Sequence, residues 1–123
     1  MGGVALESLD ALELARRIVG VIADNKGEDV LLLDIRDISI LADCFVIGST
    51  TSGRQADAIV EDIRREMKQA FNVKPLHVEG DAASGWILMD YGGVVVHLFA
   101  PELRSYYDLE GLWREARVIV RVL

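Results

Sequence analysis

Two hydrophobic periods run along the chain. Leu6, Leu9, Leu12, Ile18, Val19 and Ile22 recur at the spacing of one helical face. Asp10 and Glu13 suit the electropositive start of a helix and Gly27 can stop it, so the pattern predicts a helix over residues 8–26. Residues 30–35 and 43–48 are strand-sized apolar runs. The second is apolar on both faces and reads as a central strand. Ser52 with Gln55 three residues later has the form of a capping box. The helix it opens is expected to bury Ala56, Ile59, Val60, Ile63, Met67 and Ala70, leaving Asp57, Glu61, Arg64, Arg65 and Lys68 as a solvated face. Residues 76–79 read as a short strand. Residues 86–91 and 94–99 read as two more, joined at Gly92-Gly93, which suits a two-residue hairpin turn. A short helical segment follows Pro101 and another is predicted over residues 110–117. The order α-β-β-α-β-β-β-α implies an α/β (α+β) fold: a single domain over residues 1–123, with a mixed sheet of about five strands flanked by helices.

Composition narrows the function. Half of the 123 residues are hydrophobic (51%), enough for a core without staples. No apolar run approaches the ~18 residues of a membrane span. The N-terminus carries no basic segment ahead of an apolar one, so a secretory signal is not expected. The one cysteine, Cys44, sits in an apolar run and reads as a small buried hydrophobe; it suits the reducing cytoplasm. Net charge is −7. Residues 1–43 hold nine acids against four bases, residues 44–79 five against five, and residues 80–113 five against one. No basic stripe is visible, which speaks against a direct nucleic-acid reader and leaves a basic protein partner or plain solubility.

The hairpin holds the most information. A two-residue turn pairs Tyr91 with Val94, Asp90 with Val95, Met89 with Val96, Leu88 with His97, Ile87 with Leu98 and Trp86 with Phe99. Side chains alternate across a sheet, so Ile87, Met89, Tyr91, Val94, Val96 and Leu98 share one apolar face. Trp86, Leu88, Asp90, Val95, His97 and Phe99 share the other, which mixes aromatics with an acid and a histidine. Two readings fit that face: it packs under a helix, or it is a docking surface with aromatic anchors. Arg104, Tyr107 and Trp113 follow closely and admit the same pair of readings, sheet-edge packing or docking.

Catalytic and metal patterns are weak. His77 and His97 stand in no metal-ligand spacing with each other or with Cys44. No nucleophile elbow or P-loop occurs, and the Gly80 to Gly85 stretch reads as a plain loop.

Many of these positions together resemble one family. His77-Val78-Glu79-Gly80-Asp81, Gly85-Trp86-Ile87-Leu88-Met89-Asp90-Tyr91-Gly92, Val95-Val96-His97-Leu98-Phe99, Arg104, Tyr107, Leu109-Glu110 and Leu112-Trp113 look like the signature of the Iojap-like ribosomal silencing factors. Leu33-Asp34-Ile35, Ala42-Asp43-Cys44-Phe45-Val46-Ile47 and Ser49-Thr50-Thr51-Ser52 match it upstream. The sequence departs from the pattern at Gly85, Asp81 and Gly93, where an acid, Glu and Asp are common. The resemblance implies a nucleotidyltransferase-like fold without catalysis or cofactor. It implies binding to ribosomal protein fourteen of the large ribosomal subunit, a block on joining to the small subunit, and a homodimer when free. Carried over by motif, the contact residues are Trp86, Leu88, Asp90, Tyr91, His97, Phe99, Arg104 and Tyr107.

The alternative is a nucleotidyltransferase-like nucleotide-binding protein, suggested by Gly48-Ser49 at a strand end before a helix. Such an enzyme needs two carboxylates two residues apart on a neighbouring strand to hold divalent metals. Asp90 has Gly92 at that spacing, and Asp34 has Arg36.

Overall fold

The computed structural model describes the backbone of residues 3–123 and the side chains of residues 11–111 and 113–123. The elements run α1 (Gly3–Asp24), β1 (Glu28–Asp34), β2 (Cys44–Ser49), α2 (Gly53–Phe71), β3 (His77–Asp81), β4 (Trp86–Asp90), β5 (Val94–Phe99), α3 (Pro101–Tyr107), α4 (Leu109–Leu112) and β6 (Arg117–Val122). They build one six-stranded sheet in the order β3-β4-β5-β2-β1-β6. The pairing of β2 with β5 is parallel. Its neighbours pair antiparallel. The mixed sheet expected from the sequence is therefore present, with one strand more than the expected five. No helix among the described residues is long and apolar enough to cross a membrane.

The extra strand is β6. The helix expected over residues 110–117 ends with the short α4, and the chain turns through residues 113–116. Arg117-Val118-Ile119-Val120-Arg121-Val122 is rich in β-branched residues, which fit a pleated edge better than a helix. It pairs with β1, Leu32 opposite Val120 and Leu33 opposite Val118, so Ile119 is a bulge.

Helices α1 and α2 cover one sheet face. Ala15, Ile18, Ile22, Ile59, Ile63 and Met67 pack there against Val30, Leu32, Val46, Met89, Val96 and Leu98. Leu6 and Leu9 of the predicted helical stripe lie outside the described side chains. The start of α2 is held as its sequence suggests: Ser52 Oγ accepts from the Gln55 N–H at 3.1 Å. Gln55 departs from the usual capping box. Its Oε1 accepts from the Thr51 N–H at 2.7 Å, and its Nε2 donates to the Asn25 carbonyl at 3.0 Å. One side chain thus ties the start of α2 to the chain leaving α1. Ala70, expected inside, is exposed. The buried stripe Ala56, Ile59, Ile63, Met67 reaches Phe71 at its next step, and Phe71 packs at the core's margin instead.

The opposite face carries a smaller cluster: Leu31, Leu33, Ile35, Ala42, Phe45, Ile47 and Phe99, partly covered by Leu103, Leu109 and Trp113 of the C-terminal segment. Cys44 points into the helical side, where burial pushes its thiol up to about 11.

Candidate functional site

The hairpin register is the one its turn dictates. Trp86 lies opposite Phe99, Leu88 opposite His97 and Asp90 opposite Val95. The Tyr91 N–H donates to the Val94 carbonyl at 2.8 Å. Asp90 Oδ1 accepts from the Gly92 N–H at 2.7 Å, so this carboxylate closes the turn as well as facing outward. Ile87, Met89, Tyr91, Val94, Val96 and Leu98 all join the helical core. Tyr91 therefore sits on the opposite face of the sheet from the other hairpin candidates. Burial pushes its phenol up to about 12, and its hydroxyl is buried without a hydrogen-bond partner among the described residues.

The mixed face is layered. Phe99 and His97 are buried, whereas Trp86 and Leu88 above them are half-buried. Trp86 stacks on Phe99 with ring centroids 5.1 Å apart and meets Tyr107 at 4.7 Å. The parallel pairing of β2 and β5 brings Phe45 beside His97, 5.0 Å between centroids, and Trp113 meets Phe45 edge-on at 5.4 Å. An indole N–H can only donate, so Trp86 Nε1 donates to His97 Nδ1, at 3.2 Å. The remaining proton of the neutral ring then sits on Nε2, which is buried and unpartnered. Surrounded by rings and without a carboxylate partner, His97 has its pKa lowered to about 4 by desolvation.

Arg104 lies inside the fold. It is 7% exposed, and its fork reaches three elements. Nε donates to Glu110 Oε2 at 2.9 Å, and Nη1 donates to the Asp29 carbonyl at 2.6 Å and to Ser49 Oγ at 2.9 Å. Nη2 is ion-paired with Asp29 Oδ2 at 3.6 Å, and Arg121 reaches the same carboxylate at 3.2 Å. Of the two readings of Arg104, sheet-edge packing describes this geometry. Ser49, which drew attention as part of a Gly-Ser pair, is thereby engaged by a guanidinium. Among the described residues no three His, Cys, Asp or Glu side chains gather as metal ligands.

Of the eight candidates, Trp86, Leu88 and Tyr107 come together at a surface. They line a cleft of about 260 Å³ with Glu79, Gly80 and Leu103. Phe99 and His97 support it from below, and Asp90 lies along the same strand. Leu103 is not among the expected contacts, and Gly80, expected in a plain loop, lies instead in β3 and lines the cleft. A Cβ on Gly80 would come within 2.0 Å of the Trp86 carbonyl, and one on Gly85 within 2.6 Å of Leu103 Cδ1. Both glycines have φ of +80°, so the stretch between them is shaped to bring β3 and α3 against Trp86.

Two outcomes follow. Replacing Arg104 with Ala removes a buried side chain and its bonds to Glu110, Ser49 and the Asp29 carbonyl, while Arg121 and solvent still reach the two half-exposed carboxylates. The unfolding free energy by urea denaturation should fall by about 2 kcal/mol or more. Arg104→Lys should recover less than half of that, because an ammonium cannot span the same partners. A loss below ~1 kcal/mol in Arg104→Ala would mean the guanidinium is dispensable. The second concerns His97. Its folded pKa of about 4 lies below the ordinary histidine value of 6.5. The unfolded chain therefore binds the proton first as pH falls, and stability present above 6.5 is lost toward 4. The loss is about 3 kcal/mol at ~1.4 kcal/mol per unit. His97→Gln should flatten this part of the pH–stability curve; an unchanged slope would sink the assignment.

Comparisons with known proteins place the chain in a family. The family model described as "Ribosomal silencing factor during starvation" matches residues 8–122. The ribosomal silencing factor RsfS of Halalkalibacterium halodurans is 37% identical over 108 residues, covering 87% of this chain and 91% of the relative. RsfS of Bacillus subtilis is 40% identical over 93 residues, 76% of this chain and 78% of that one. A crystal structure of a protein from Chromobacterium violaceum superposes with a TM-score of 0.78 at 29% identity, covering 91% of this chain and 92% of that one. With a family match across residues 8–122 and relatives 37–40% identical over most of their length, the chain belongs to the ribosomal silencing factor family, RsfS.

Proposed function

We propose that this protein silences translation by binding ribosomal protein fourteen on the large ribosomal subunit and blocking the approach of the small subunit. The action is occupancy, in the cytoplasm, without catalysis or cofactor. The observation that carries the reading is the half-buried Trp86, braced by Phe99 and His97 and flanked by Leu88 and Tyr107. Aromatic anchors fixed by a packed underlayer lose little freedom on docking, as interface hot spots require. Leu88, Asp90 and Tyr107 complete the contact surface. His97, Phe99 and Arg104 hold it from beneath, and Tyr91 braces the turn from the helical side. A net charge of −7 favours a basic protein target and weakens generic attraction to RNA.

Subunit joining followed by light scattering tests this. Wild-type protein in excess over large subunits should suppress joining. Trp86→Ala, shown to be folded, should bind about 30-fold more weakly, the ~2 kcal/mol of an aromatic hot spot. Unimpeded joining in the presence of excess wild type would end the silencing reading for this chain.

The same patch suits a second copy when the ribosome is absent, since Tyr106 (78% exposed) and Tyr107 (42%) leave aromatic surface open beside the cleft. Sedimentation should show a concentration-dependent homodimer that Tyr107→Ala weakens. A monomer throughout the micromolar range would remove the dimer and leave silencing untouched.

A further inference from the structure

Three cations gather at one edge of a chain whose net charge is −7. Arg64 and Lys68, one turn apart on α2, and Lys74, just beyond it, line an open trough with Leu76 and His77 at the start of β3. In the sequence these cations are diluted among acids, and Arg64 and Lys68 read as part of a solvated face. Folding sorts them. Glu66 pairs with Arg17 and Asp62 with Arg65, while His77 holds Glu79 at 2.6 Å. Among the described residues, Arg64, Lys68 and Lys74 are in no ion pair and all three are exposed; Lys68 Nζ donates to Asn72 Oδ1 at 2.8 Å, a neutral partner that leaves its charge uncompensated. The carbonyl end of α2, which would repel an anion, is closed: the Asn72 N–H donates to the Lys68 carbonyl at 3.0 Å and the Val73 N–H to that of Met67 at 3.3 Å.

We infer that this trough takes the phosphate backbone of RNA on the large subunit. The inference rests on the silencing reading and adds a second contact to it. Three cations with no carboxylate partner among the described residues, in an open channel of about 540 Å³, match a chain of phosphates better than one enclosed anion. The trough also adjoins the proposed docking face. His77 pairs with Asp90 across the sheet, and the Leu76 N–H donates to the Asp90 carbonyl at 2.8 Å. A protein anchored through Trp86 would thus present the trough at the rim of the contact. Phosphate contacts there fix orientation without reading bases. The surrounding negative charge keeps RNA from competing elsewhere on the surface.

The test is binding to purified large subunits across a salt series, with wild type, Trp86→Ala and the triple variant Arg64→Gln, Lys68→Gln, Lys74→Gln. Lys74→Glu, outside both elements, serves if the triple variant misfolds. At low salt the triple variant should bind tenfold or more weakly and converge on wild type as salt rises. Its plot of log affinity against log salt should be shallower by about 2, at roughly 0.7–0.9 per phosphate contact. A photo-crosslinking residue in place of Lys74 should give a nuclease-sensitive adduct. Equal affinity and slope in variant and wild type would overturn the trough while leaving Trp86-dependent silencing standing. A protein adduct would replace RNA with an acidic protein surface and overturn the inference. Failure of wild type to bind large subunits at all would take down both readings.

Discussion

The guanidinium of Arg104 holds the C-terminal segment to the sheet. Without it, α3 and α4 would lie over the sheet through the partial cover of Leu103, Leu109 and Trp113 and the contact of Tyr107 with Trp86. With it, the start of β1, the end of β2 and α4 are bound to one planar group through Asp29, Ser49 and Glu110. The site depends on that placement. Tyr107 lies three residues along α3 from Arg104 and contacts Trp86, and Leu103 lines the same cleft. A buried charge is costly to desolvate, so a single cation meeting two carboxylates, a carbonyl and a hydroxyl is stable only when all of them arrive together. The position of the docking face is thus coupled to completion of the sheet.

Below Trp86 the logic changes from charge to rings. The indole N–H fixes the His97 tautomer and His97 fixes the indole, with Phe99 as the floor and Phe45 as the wall. This underlayer restrains Trp86 while leaving it half-buried. The histidine's lowered pKa follows from the same dry setting, since no acid lies among the groups it touches.

Much of this was legible in the sequence because it rests on short-range rules. Gly92-Gly93 set the hairpin register, and period-two alternation then sorted every side chain of β4 and β5 onto its face. The capping signal at Ser52 located the start of α2. Longer-range features were harder to see. Burial of Arg104 depends on Asp29, 75 residues away, and no local pattern announces that encounter. Tyr91 belongs to the signature by motif and to the helical core by parity, and parity decides where its ring goes. The strand β6 escapes the sequence pattern: residues 110–117 are expected to be helical, and the β-branched run after them becomes a strand only because β1 offers an edge to pair with. Arg64 and Lys68 read as part of a solvated face because Glu66, which separates them in sequence, is drawn off to Arg17 of α1 only in the folded chain.

The parallel seam between β2 and β5 sets an order of events for the nascent chain. Cys44–Ser49 must wait for Val94–Phe99, about fifty residues later, before its second edge is covered. Until then the β1–β2 ribbon has two open edges and an apolar face, the kind of surface on which chains aggregate or are seized by quality control. A product cut short before Val94 would keep that ribbon exposed. A chain ending just after Phe99 could close the seam but would lack Arg104 and the edge strand β6. The ribbon loses its adhesive edge only once residues 94–99 arrive, so the seam makes a late segment the condition for a closed sheet.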